Sequence, residues 1–155
     1  MSDPVSPSLV QAFYHAYARR DLAGVLGFVS DDVEWKLLGP VEIFPFCGYR
    51  RGKAAVIEHF TRRMPTLFSM RRMEPDDLVI DGNRAASFSK ITAVENGSGR
   101  IIAFHCAHFV TFREGKVVSM QAVADTFGAI EQLQGLEILV GPPLVNERLC
   151  DLVAI

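Results

Sequence analysis

The chain has 155 residues, 49% of them apolar and 22% charged, which bounds it to one globular core and leaves no low-complexity tract or repeat to argue for disorder or a solenoid. Sixteen Lys and Arg against eighteen Asp and Glu leave a formal net charge of −2, so no global field draws the chain to a phosphate backbone and no nucleic acid is expected as a partner. No stretch approaches the ~20 apolar residues that a bilayer-spanning helix needs, so no membrane partner is expected either.

Residues 1–7 read as an extended or disordered N-terminus, and with no basic start and no apolar run they are not expected to act as a secretion signal. Ser8 stands three residues before Gln11, a capping-box spacing that predicts a helix start. Leu9, Phe13 and Tyr17 form its apolar stripe, widened by Val10 and Tyr14, and Arg19 and Arg20 belong on the opposite side, near the negative helix end. Asp21 caps a second, shorter helix carrying Leu22, Val25, Leu26 and Val29. Val33, Trp35 and Leu37 then alternate with Glu34 and Lys36 as in a half-buried strand, with Trp35 inward. Gly39-Pro40 and the segment from Phe44 to Gly48 read as an irregular connection. A third helix follows Gly52, with Val56, Ile57, Phe60 and Met64 on its buried side and Pro65 ending or kinking it.

From Met70 the period changes to 2, and three turns punctuate it: Asp81-Gly82-Asn83, Asn96-Gly97-Ser98-Gly99 and Glu114-Gly115. The expected fold is α+β: three N-terminal helices close over a curved antiparallel sheet, made of this four-stranded meander and the first strand, and leave a mostly apolar pocket. Residues 127–134 read as a short closing helix. Residues 135–155 form an apolar C-terminal extension, expected to pack on its own domain or on a partner subunit. Cys47, Cys106 and Cys150 are odd in number and far apart, which fits neither a disulfide framework nor a zinc site and points to a reduced, cytoplasmic setting.

If Glu114-Gly115 is a two-residue turn, Phe112 lies opposite Val117, His108 opposite Gln121 and Cys106 opposite Val123. One face of this hairpin then carries Phe104, Cys106, His108, Val110 and Phe112 with Gln121, Val123 and Asp125; the other carries Ala103, His105, Ala107 and Phe109 with Met120, Ala122 and Ala124. Both are largely apolar, and the polar trio His108, Gln121 and Asp125 marks the first as the pocket side. His105 points away from His108, so no metal ligand set emerges. Cys106 shares the face with His108, but roughly 6.5 Å of strand rise separates them, which favours a small buried cysteine over a thiolate. Arg50, Arg51 and Lys53 miss the phosphate-loop spacing and read as a solvated face.

Several of these runs together resemble a known family. Phe13-Tyr14 to Asp21, Asp31-Asp32-Val33-Glu34-Trp35, Gly48 to Val56, Ala107 to Val117 and Asp125-Thr126 are similar to the SnoaL-like branch of the nuclear transport factor 2 superfamily, with its polyketide cyclases and ketosteroid isomerase-like proteins. The likeness covers residues 8–134. It implies a cone-shaped α+β barrel, a homodimer formed through the outer sheet face, and Asp125 with His108 as the catalytic pair. Trp35 and Lys36 stand where the ketosteroid isomerases place their base carboxylate, and Gln121 where many relatives have Arg, so neither steroid isomerisation nor epoxide hydrolysis transfers directly.

A carboxylate at a strand end inside an apolar pocket loses hydration and gains basicity, so Asp125 is expected to exchange a proton near pH 7. His108 shares the transfer or binds a developing enolate. Tyr14 and Gln121 orient a carbonyl, Trp35 offers a flat wall, and Cys106, Val123 and Phe112 complete the substrate-binding lining. The expected function is a cofactor-independent isomerase or cyclase, with no metal, acting on a small apolar carbonyl compound. The alternative is a non-catalytic ligand-binding or dimerisation module. In that case Asp125 is the cap of the following helix, His108 an interior histidine, and Trp35 and Tyr14 core residues.

Overall fold

A computed structural model of the chain describes residues 3–135. The expectations for the tail beyond them lie outside the described residues. Helix α1 spans Pro7–Ala18, one residue earlier than the Ser8 spacing implies, because Pro7 needs no donor in the first turn. Ser6 is the N-cap without a side-chain cap bond, so the Ser8–Gln11 box does not form; the Ser6 and Ser8 hydroxyls bond each other instead at 2.6 Å. Ahead of the helix, the Val5 N–H donates to the Gly82 carbonyl (2.9 Å), which ties the N-terminal segment to a hairpin turn. Helix α2, Leu22–Phe28, is capped by Asp21, which accepts from the Gly24 N–H at 3.0 Å.

Strand β1, Val29–Leu38, buries Val33, Trp35 and Leu37, as the alternation requires. A short strand β2, Gly48–Arg51, follows where sequence offered only the end of a connection. Gly52, at φ +88°, then opens α3, Lys53–Glu58, which runs through a π-helical turn, His59–Arg63, into α4, Met64–Leu67. Pro65 accounts for the widened turn: it has no N–H to donate and its ring crowds the carbonyl four residues back, and the Met64 N–H reaches back five residues to His59. Val56, His59, Phe60 and Met64 are buried along this run, while Ile57, expected inside, is exposed.

Strands β3 (Phe68–Asp81), β4 (Arg84–Glu95), β5 (Ile101–Arg113) and β6 (Lys116–Ala124) form the meander with the three turns in place, and α5, Thr126–Gln134, closes the described chain. The sheet has six strands in the order β2-β1-β6-β5-β4-β3. It is mixed rather than antiparallel, because β1 pairs parallel with β6. The helices pack on one face of it, and no helix of the described residues is long and apolar enough to cross a membrane.

The last hairpin departs from the expected register. Arg113 pairs with Lys116 and Phe112 with Val117, but Thr111 pairs with Ser119, so Val118 is an extra residue in a β-bulge. Beyond it every pair shifts by one: His108 lies opposite Ala122, Phe109 opposite Gln121 and Cys106 opposite Ala124. Because side chains alternate, that single insertion exchanges the two faces of β6. Met120 and Ala122 are buried on the inner side, while Gln121 and the exposed Val123 belong to the outer one. Both residues, expected in the pocket, are therefore removed from it.

Candidate functional site

Two cavities lie between the inner sheet face and the helices, about 360 and 620 Å³ with their mouths included, and they share a wall of Leu37, Phe46, Phe104, Cys106, Ala122 and Ala124. The space exists because the Val118 bulge turns two alanines inward where Gln121 and Val123 would have filled it. The segment between β1 and β2, read from sequence as an irregular link, supplies Phe44 and Phe46 as the opposite wall. Arg50 holds that segment: its guanidinium donates to the carbonyls of Phe46 (2.7 Å), Cys47 (2.8 Å) and Pro45 (3.0 Å). Arg50 is thus a half-buried pin and not part of a solvated face, whereas Arg51 and Lys53 do form exposed ion pairs with Asp32 and Asp31.

His108 lines the larger cavity and is only 2% exposed. Tyr17 meets its ring edge-on at 5.1 Å between centres, and Tyr14 lies nearly parallel to it at 6.2 Å. Burial pushes the imidazole down from 6.5 to about 4, so the ring is neutral at physiological pH. Among the described residues Nδ1 has no partner, and Nε2 has only the Cys106 sulfur at 3.5 Å. The strand rise expected to separate Cys106 from His108 does not do so, because their side chains lean together on one face. The Cys106 thiol is pushed up to about 12 by burial and stays protonated, so it acts as a weak hydrogen-bonding neighbour.

Asp125 stands at the rim of the smaller cavity but is exposed, and its Oδ1 accepts from the Gly128 N–H at 3.0 Å as the N-cap of α5. It is therefore not enclosed in the pocket where the sequence pattern places it. Trp35 is wholly buried behind the cavity wall, with Nε1 unpaired among the described residues. Phe112 packs in the core, edge-on to Phe13 at 6.1 Å. Tyr14 reaches the site only through its contact with His108; its hydroxyl lies beside Ser87 without closing a normal hydrogen bond, and burial pushes it up to about 12. Of the residues singled out from sequence, the fold brings His108 and Cys106 together in the cavity, with Tyr14 stacked behind them.

Sequence reasoning missed Tyr17 as a cavity residue, since its place on the apolar stripe of α1 marks it simply as core. Its hydroxyl makes no hydrogen bond among the described residues, and burial raises its pKa, so it remains a proton donor. Sequence also missed His59, fully buried in the π-turn with neither ring nitrogen paired among the described residues, and held down at about 3 by burial and by Arg20, Arg50 and Arg63. Among the described residues no three His, Cys, Asp or Glu gather as a metal site requires.

Comparison with known proteins places this geometry. Residues 10–120 match the SnoaL-like domain. No curated protein matches the sequence. Among solved structures, the chain is similar to a proposed isomerase from Rhodopseudomonas palustris, at 29% identity and a TM-score of 0.69 over 81% of this chain and 93% of that one. An NTF2-like protein of unknown function from Burkholderia pseudomallei is 28% identical, with a TM-score of 0.72 over 81% and 94% of the two chains. TerC, crystallised with polyporic acid, is 26% identical, with a TM-score of 0.72 over 82% and 96%.

Proposed function

Because the chain belongs to the SnoaL-like domain family and shares its fold with a proposed isomerase, we propose that it is a cofactor-independent isomerase or cyclase that moves a proton on an apolar carbonyl compound. The observation that carries this is the neutral imidazole of His108, buried in the wall of the larger cavity with both nitrogens free of strong partners among the described residues. A free nitrogen takes a proton from the carbon next to the substrate carbonyl. The imidazolium so formed beside the new enolate is stabilised by it, and gives the proton back at another carbon or after the enolate carbon has attacked a second carbonyl. The Tyr17 hydroxyl donates to the carbonyl oxygen as negative charge develops there. Asp125 has no part in this step; it holds the start of α5 at the cavity rim. Outside the cavity, Phe88, Phe109 and Val123 stand exposed on adjacent strands of the outer sheet face, which we assign to a second copy of the chain.

The test is deuterium uptake at the α-carbon of 2-tetralone in D2O, followed by proton NMR. The wild-type protein should accelerate it, His108→Gln should lose about 10²–10⁴-fold of that acceleration, and Asp125→Asn, which keeps the helix cap, should retain it. Undiminished exchange in His108→Gln would sink the mechanism. The second reading, a ligand-binding module, draws on the lining of the larger cavity, where His108 sits and where no carboxylate is found among the described residues. Binding of 2-tetralone without accelerated exchange in the wild-type protein would select it.

A further inference from the structure

Arg20 follows α1 in a left-handed conformation, φ 60°, at a position where a glycine is usual and a side chain costs roughly 1 kcal/mol or more. Two backbone bonds hold the turn: the Arg20 N–H donates to Tyr17 and the Asp21 N–H to Ala16, at 3.1 and 3.0 Å. The sequence pattern sends this residue to solvent at the helix end. Instead the guanidinium folds inward over the Phe60 ring, 4.7 Å from its centre, and lines the same cavity as Tyr17 and His108. Most of it is withdrawn from water, yet among the described residues it forms no ion pair with a carboxylate. Its neighbours at the cavity mouth are also cationic. Arg71 sits in the β-bulge of β3 between Met70 and Arg72, and the larger cavity is lined by three arginines and by no Asp or Glu. Arg72 already has Glu74 at 3.3 Å and Arg71 is exposed, which leaves Arg20 as the more deeply withdrawn cation of the cavity and without a carboxylate among the described residues.

A guanidinium stripped of part of its hydration needs an anion to recover that energy, and a carboxylate matches its fork with two parallel hydrogen bonds. We propose that the ligand of this cavity is an apolar carboxylate whose charged group pairs with Arg20 while its body lies against Met70, Met73, Phe104 and Ala122. This rests on the reading of the cavity as a ligand site and narrows the class of substrate. It also gives the strained backbone at Arg20 a purpose: the left-handed turn aims the side chain into the cavity.

The experiment compares 2-naphthoate with its uncharged analogue 2-naphthamide by calorimetric titration, with amide shift changes at His108 and Ala122 locating each probe in the cavity. Wild-type protein should bind the carboxylate at least about tenfold more tightly than the amide. Arg20→Gln should abolish that preference without weakening the amide, and Arg20→Lys should keep part of it. Arg20→Gly, which suits the left-handed backbone and so protects the fold, should lose the preference as Arg20→Gln does. Equal affinity of the two probes for the wild-type protein, or a preference that survives in Arg20→Gln and Arg20→Gly, overturns the assignment to Arg20 while leaving the cavity a ligand site. Failure of both probes to bind in the cavity overturns the ligand-site reading and this inference together.

Discussion

Lowering the pH from 7.5 to 5 should strip this fold of about 4 kcal/mol of stability through two buried imidazoles, His108 and His59. Both have folded values below the ordinary 6.5, at about 4 and about 3, because burial penalises the charged ring. A group depressed in this way contributes its full stability while the unfolded imidazole is also neutral, above about pH 6.5. As the pH falls toward the folded value, the unfolded chain takes up a proton that the native state refuses. At pH 5 the unfolded rings are almost wholly protonated and the folded ones mostly neutral, a difference of about 2 kcal/mol for each. In a domain of this size that total corresponds to a drop in thermal midpoint of about 8–16 °C. Thermal and urea unfolding at pH 7.5, 6.5, 5.5 and 5 would measure it, with His59→Leu and His108→Leu each expected to lose about half of the decline whatever their own starting stability. A wild-type midpoint that stays level down to pH 5, or variants that fall as steeply as the wild type, would refute the claim that these rings are buried and neutral.

Deleting Val118 should close the bulge in β6 and leave a regular ladder in which Ser119 still pairs with Thr111, with Met120 and Ala122 still inward and Gln121 and Val123 still outward, so stability should change by no more than about 1 kcal/mol. A deletion variant whose urea midpoint collapses would show that Val118 is not the extra residue and that its removal shifts the pairs beyond it. If the outer sheet face pairs two copies as proposed, the wild-type protein should be dimeric and Phe109→Glu monomeric, read as molar mass by light scattering; a wild-type protein that is already monomeric would remove the assignment of that face.

Much of the fold was legible because its causes are local. The alternation of Val33, Trp35 and Leu37, the Asp21 cap on Gly24, the left-handed Gly52 and the tight turns at Gly82 and Gly115 each depend on a few neighbouring residues. The site was less legible. His108 and Cys106 were on the correct face because β5 is regular, but Gln121 and Val123 were lost across a single inserted residue. Val117 and Val118 are both β-branched and apolar, and both faces of the hairpin are apolar, so no polar residue at that point betrays the slip. Asp125 fits a strand-end base and a helix cap equally well in sequence, and only its exposure and its bond to the Gly128 N–H select the cap.

By itself, then, the order of residues determined the elements, most of their ends and the turns between them, since backbone preference and apolar period act over a few positions. Tertiary structure decided that β1 lies parallel beside β6, that two alanines rather than Gln121 and Val123 face the cavity, and that Arg20 turns in instead of out. Those outcomes depend on groups far apart in the chain competing for one enclosed volume. The charge and the imidazole that define the site are set by which side chains that volume admits.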